Sequence, residues 1–185
     1  MFELGGYAGA WVAETNRDPF LNVLMAANAT TTIEVGTSIA VAFARSPMTV
    51  ALTSNDLQRA ARGRFVLGLG TQVKAHIERR YSMPWSSPAA RMREYILALR
   101  AIWQSWYTEE PLDFRGEFYR HDLMTPFFRP EPHPYGQPKV FLAGVGPLMT
   151  EVAGSGADGF ICHAFTTERY LREVTVPALR EARAA

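Results

Sequence analysis

Short unbroken apolar runs alternate along this chain with stretches whose apolar residues fall at helical spacing. Ala10–Ala13 (AWVA), behind a glycine-rich turn, reads as a buried strand. Asp18 then stands just before Pro19, an N-cap with proline at the first helical position, and opens a helix over Phe20–Ala29. Ile33–Ala40 (IEVGTSIA) is the second strand. Ser46-Pro47 repeats the cap signal for a helix to about Ala60, closed by Arg62-Gly63. Phe65–Gly70 (FVLGLG) is the third strand, followed by a polar, proline-containing loop over 71–88. Ala89–Trp106 carries Met92, Tyr95, Ile96, Leu99, Ile102, Trp103 and Trp106 on one stripe and predicts the longest helix. Residues 107–138, rich in Pro, Gly and aromatics, read as an irregular insertion with a small hairpin at Phe114–Tyr119. Val140–Ala143 is the fourth strand, Pro147 to about Ser155 a helix, and Gly159–Cys162 the fifth strand. The last helix starts near Thr167 or Glu168, with Thr166 and Thr167 as cap candidates.

Strands separated by crossover helices imply a parallel sheet, and strands apolar throughout imply cover on both faces. The class is therefore α/β, and one domain over 1–185 is expected. Two architectures fit the pattern, a doubly wound sheet and a (β/α) barrel. In both, ligands gather where strands end. Those exits hold Glu14 and Thr15; Thr37, Ser38, Ile39 and Ala40; Gly70, Thr71 and Gln72, with His76 a turn further on; Gly144, Val145 and Gly146; and His163. The pattern suits a ligand laid across the mouth of a barrel.

Each exit also has a plainer reading. Glu14 either meets a ligand or caps the next helix. Gly144-Val145-Gly146-Pro147 either binds phosphate through backbone N–H groups at a helix start or is a tight turn. Gly68-x-Gly70 is no dinucleotide fingerprint, because Val73 stands where the third glycine belongs. His121 and His133, in the insertion, read as surface residues. The histidines lack metal-ligand spacing, no G-x-S-x-G occurs, and Cys162 has no evident base, so metal sites and nucleophilic hydrolysis are not expected. The insertion joins a helix to a strand and reads as packing on the side of the sheet away from the exits.

Composition narrows the classes further. Of the 185 residues 48% are hydrophobic and 20% charged, with 19 basic against 18 acidic side chains, a balance that does not suit a nucleic-acid partner. The most apolar stretch, Ile33–Ala44, is far short of the roughly 20 residues of a membrane span. One cysteine and no secretory pattern suit a reducing cytoplasm.

Four blocks, GAWVAETNRDPF, IEVGTSIAVAFARSPMTVA, RGRFVLGLGTQVKAHIERRY and VFLAGVGPLMTEVAGSGADGFICHAF, together resemble the luciferase-like family of flavin- or F420-dependent oxidoreductases. RFVLGLGTQ and LAGVGP…ADGFI are typical of the F420-using branch. The resemblance implies a TIM-type barrel with a deazaflavin ring, or alternatively FMN, in its mouth, and hydride transfer with an organic substrate. It also implies that relatives are often dimers. On the family pattern Glu14 and Thr15 match the first motif, where many members have an acid followed by histidine. Thr15 replaces that histidine and removes any role needing an imidazole there. A non-prolyl cis peptide against the ring falls at Ser38–Ile39. Thr71, Gln72 and His76 match positions near the cofactor, and Gly144–Gly146 match the approach to its tail phosphate. His163 matches a substrate-side position. The acid of the sugar-dehydrogenase relatives is replaced by Val73, so no catalytic residue carries over. The family has eight strands and only five are counted here. The resemblance thus predicts an incomplete barrel lacking the first and the last two strands, with Phe2–Gly5 as the tail of a preceding helix. Two alternative readings follow, an FMN-dependent monooxygenase and a non-catalytic barrel fragment.

Overall fold

The computed structural model describes residues 3–184. Strand β1 (Gly9–Val12) leads through a turn into helix α1 (Pro19–Ala29), and strand β2 (Glu34–Thr37) follows. Asp18 caps α1 as expected, its carboxylate accepting from the Phe20 and Leu21 amides. The second predicted strand is corrected: it is two segments, β2 and the short β3 (Ala40–Val41), separated by a cis Ser38–Ile39 peptide. Helix α2 (Pro47–Ala60) starts under Ser46, whose Oγ accepts from the Thr49 amide. It ends at Arg62 and Gly63, both in the left-handed region with φ of 52° and 86°. Strand β4 (Phe65–Gly70) is buried along its whole length.

The loop expected over 71–88 is also corrected, because it contains helix α3 (Lys74–Arg79). Six residues with one buried side chain, Ile77, and no side-chain cap are too short and too polar to show as a helical stripe. Helix α4 (Pro88–Thr108) buries the whole predicted stripe. The insertion holds a two-stranded ribbon, β5 (Phe114–Arg115) and β6 (Arg120–His121), which starts where the hairpin read at Phe114–Tyr119 starts and ends two residues beyond it. Its turn is gripped by the Glu94 carboxylate, which accepts from the amides of Glu117, Phe118 and Tyr119. His121 and His133 are half-buried there, not surface residues. Strand β7 (Lys139–Ala143), helix α5 (Pro147–Gly156) and strand β8 (Gly159–Ile161) complete the repeat. The chain then forms one rod, α6 (Glu168–Tyr170) running into α7 (Val176–Ala184), capped by Thr167. The rod widens over Leu171–Thr175, just before Pro177, which has no N–H to continue the regular ladder.

The main sheet is parallel and runs β1-β2-β4-β7-β8, with β3 prolonging β2 beside β4. A doubly wound sheet reverses its strand order at a switch point. Here every strand joins beyond its predecessor, the progression of a (β/α) barrel. Neighbouring helices also pack in sequence, α1 on α2, α2 on α4, α4 on α5 and α5 on α7. On the inner face the Trp11 and Phe141 rings stack at 5.8 Å. A Cβ on Gly36 would meet the Trp11 ring at 2.6 Å, so glycine there makes room for the indole. The outer core lies between sheet and helices and is built from Leu67, Leu69, Ile96, Leu99, Trp103 and Leu142, all fully buried. Met1, Phe2 and Ala185 lie outside the described residues. Of the helix tail expected at Phe2–Gly5, the described part is a turn closed by the Gly6 amide on the Glu3 carbonyl. No helix among the described residues is long and apolar enough to cross a membrane.

Candidate functional site

One large cavity of about 1000 Å³ opens at the carboxyl ends of the strands. Each wall comes from a different exit. Ser38 and Ile39 bulge in between β2 and β3. Gly70, Thr71 and Gln72 follow β4. Gly144, Val145 and Gly146 follow β7, and His163 follows β8. Of the fourteen exit residues singled out, nine line one space: Ser38, Ile39, Gly70, Thr71, Gln72, Gly144, Val145, Gly146 and His163.

The local chemistry explains the shapes of these walls. Gln72 has φ of 61°, and its side-chain oxygen accepts from the Val73 amide while its carbonyl accepts from Thr71 Oγ1. A non-glycine residue in that region is uncommon, and such residues gather at ligand sites. Gly70 is needed for close approach, since a Cβ would lie 2.9 Å from Ile39 Cγ1. The Ile39 side chain therefore lies flat against the β4 exit. Gly146 caps α5 without a side-chain bond, and its surroundings are open. The first-turn N–H groups of that ten-residue helix stand at the cavity edge. His163 Nδ1 accepts from the Phe165 amide, so its neutral ring carries the proton on Nε2.

Five expected residues lie elsewhere. Thr37 and Ala40 are buried inside the sheet. Thr15 is exposed, bonded to Asn16, with its carbonyl accepting from Arg80. His76 is exposed on α3. Glu14 neither lines the cavity nor caps α1. Asp18 caps α1, and the Glu14 carboxylate is buried, accepting from the Val41 amide at 2.7 Å, Arg45 Nη1 at 2.8 Å and Tyr81 Oη at 3.0 Å. Burial would depress the Arg45 guanidinium, but its bonds to Glu14 and Asp18 hold its pKa above the ordinary value. Burial, then the bond to Glu14, raises the Tyr81 phenol.

Lining residues not anticipated include Trp85, Met149, Lys74 and Ile161. Trp85 was hidden by the reading of 71–88 as plain loop. Its indole, edge-on to Phe43 at 5.8 Å, packs against the core. An aromatic inside a polar stretch was the available signal.

The chain matches the family model described as luciferase-like monooxygenase over residues 1–185. It is 56% identical over 177 residues to an uncharacterised protein of Mycobacterium tuberculosis, covering 96% of this chain and 52% of that one. It is 31% identical to the F420-dependent glucose-6-phosphate dehydrogenase of Intrasporangium calvum, covering 92% and 51%. The chain thus spans about half the length of the curated relatives it matches. Among solved structures, an F420-dependent secondary alcohol dehydrogenase with an F420-acetone adduct superposes with a TM-score of 0.82 at 22% identity, covering 98% of this chain and 57% of that one. A Baeyer-Villiger monooxygenase constituent from Pseudomonas putida, in complex with FMN, does so with 0.76 at 17% identity, covering 98% and 55%. At these identities the superpositions establish the fold alone, that of a (β/α) barrel.

Proposed function

The chain belongs to the luciferase-like monooxygenase family, and from that premise we propose that its strand-exit cavity is the ring site of an oxidoreductase that uses the deazaflavin F420. The observation that carries the reading is the convergence of Ser38-Ile39, Thr71-Gln72, Gly144–Gly146 and His163 on one space. Its volume of about 1000 Å³ suits a cofactor and a small substrate together. The bare Gly70 leaves Ile39 flat against β4, which gives a planar ring an apolar face to lie on.

Several residues of this chain would hold that group. Ile39 and Val145 offer apolar contact, while Ser38, Thr71 and Gln72 offer polar atoms at the ring edge. Gly144–Gly146 and the start of α5 offer backbone N–H groups to a phosphate. When bound, a deazaflavin supplies hydride chemistry at its ring, and the protein supplies orientation and exclusion of water. His163 lines the cavity on the side proposed for the substrate. The F420-dependent relatives at about 30% identity favour F420 over FMN. The FMN reading rests on the flavin-bound structural neighbours.

Titrating this chain into oxidised F420, followed by the cofactor's fluorescence, with FMN in parallel, tests the proposal. Saturable F420 binding, lost when Ile39→Asp puts a charge on the ring face, is the expected result. Binding of FMN in place of F420 would move the site to the flavin-dependent monooxygenases. Binding of neither would overturn the assignment.

A further inference from the structure

The Glu14 carboxylate is 5% exposed and bonded to three donors, yet it does not line the cavity. Its bonds converge on one object. The Glu14 backbone amide donates to the Ile39 carbonyl at 3.2 Å, and its side chain accepts from the Val41 amide at 2.7 Å. Those two groups stand at the C-terminal end of the bulge that forms the cavity wall, while at its N-terminal end the Ser38 amide donates to the Val12 carbonyl. Arg45, 2.8 Å from the same carboxylate, also donates to the Val41 carbonyl. Tyr81, beyond α3, donates to the other carboxylate oxygen. The bulge is where β2 stops pairing with β4 and β3 begins. A buried carboxylate with all its partners satisfied is a rigid anchor, whereas removal of one partner exposes the cost of the rest.

We propose that Glu14 is a positioning residue for the ring site. It fixes the C-terminal end of the Ser38–Ile39 bulge and acts on a bound ring through Ile39, without touching it. Arg45 and Tyr81 fix Glu14 in turn. The effect on cofactor binding rests on the reading of the cavity given above; the hold on the bulge does not.

The test uses the whole chain and three variants, Glu14→Ala, Glu14→Gln and Tyr81→Phe. The first readout, without cofactor, is amide hydrogen exchange at Val41 by NMR, with buried α4 amides as reference. Loss of a charge-assisted bond is expected to speed Val41 exchange in Glu14→Ala by about tenfold or more, with α4 unchanged. Glu14→Gln, isosteric and still an acceptor, restores most of the protection. Tyr81→Phe, which leaves the Val41 bond in place, gives a smaller change and serves where Glu14→Ala does not fold. The second readout is F420 affinity, expected to fall about tenfold in Glu14→Ala and to recover in Glu14→Gln.

Unchanged Val41 exchange, or exchange rising equally everywhere, would overturn the proposal. So would a loosened bulge that leaves F420 affinity intact. Failure of the parent chain to bind F420, with local loosening still seen, would remove the cofactor reading and keep Glu14 as the anchor of the bulge.

Discussion

Thr37 Oγ1 stitches a gap in the sheet: it donates to the Gly68 carbonyl at 2.7 Å and accepts from the Gly68 amide at 2.9 Å. The ladder between β2 and β4 ends at Gly36–Val66, and that between β3 and β4 resumes at Ala40–Leu69. One hydroxyl satisfies the two backbone groups left between them. Thr37→Val preserves shape and removes both bonds, leaving a buried donor and a buried acceptor unpaired. The expected loss is about 2–4 kcal/mol, or about 5–12 °C in Tm for a chain of this size. Thr37→Ser keeps the hydroxyl and is expected to lose about 1 kcal/mol for the methyl. Thermal unfolding followed by circular dichroism decides; equal losses in the two variants would mean that the hydroxyl is not the stitch.

The other side of the same contact admits no side chain. A Cβ on Gly68 would lie 1.8 Å from the Thr37 carbonyl oxygen and 2.8 Å from Ile161 Cδ1. The nearest atom is backbone, so rotamer changes bring no relief. Gly68→Ala is expected to cost more than about 3 kcal/mol and to reduce soluble yield at 37 °C. A soluble variant with parental Tm would show that β2 and β4 separate more easily than this contact implies.

These contacts mark what sequence reasoning reaches. Asp18, Ser46 and Thr167 were legible as caps, because the cap and the amide it serves lie within three residues. The stripe on α4 was legible because its period spans several turns. Half of the cavity residues were legible too, since a parallel sheet delivers its strand ends to one side. The Glu14 cluster was not. Its partners Arg45 and Tyr81 stand 31 and 67 residues away, and a carboxylate at a strand exit carries no local mark of where it will turn. Thr37 was misplaced for a related reason: alternation along a strand that breaks at Ser38–Ile39 does not say which face each residue takes. Sheet order, which separates a barrel from a doubly wound sheet, lies in tertiary pairing alone.

Glu94 tests the reading of 107–138 as packing. Its carboxylate accepts from three successive amides of the β5–β6 turn, at 2.6–2.9 Å, and lies away from the cavity lining. Glu94→Ala is expected to speed exchange of the amides of residues 117–119 and to lower stability by on the order of 2 kcal/mol. Cofactor affinity is expected to change less than about twofold, because separated sites with no shared partner act independently. A large fall in affinity with a local loss of structure would bring the ribbon into the site.

On the acid side, Glu3 is the group to watch. The backbone amides of Thr32 and Thr31 donate to its carboxylate and hold its pKa at about 2, against an ordinary 4.5. A folded pKa below the unfolded one contributes stability that is present above pH 4.5 and is lost between pH 4.5 and 2. The carboxylate is exposed, so the effect is expected to be local and weakened by salt. NMR titration of the Thr31 and Thr32 amides is expected to show a transition near pH 2; a midpoint at 4.5 would mean the contact does not form in solution.

On the alkaline side the tyrosines act in the opposite direction. Tyr95 is fully buried, its hydroxyl donating to the Arg45 carbonyl, and burial pushes its pKa well above 10. The nearby Tyr119 adds to that rise, while Arg45 and Arg91 oppose it. Burial also raises Tyr119 and Tyr81. The unfolded chain ionises these phenols near pH 10 and the folded chain does not, so the unfolded state releases more protons above pH 10. Stability held in full below that pH must fall as pH rises past it. A titration at 295 nm is expected to show the exposed tyrosines ionising gradually and Tyr95 only in a cooperative step that coincides with loss of helical dichroism. Tyr95→Phe removes that step and moves the unfolding midpoint to higher pH, provided its packing loss is first measured at pH 7. All seven tyrosines titrating smoothly before unfolding would mean that solvent reaches the α4 core far more freely than its burial allows.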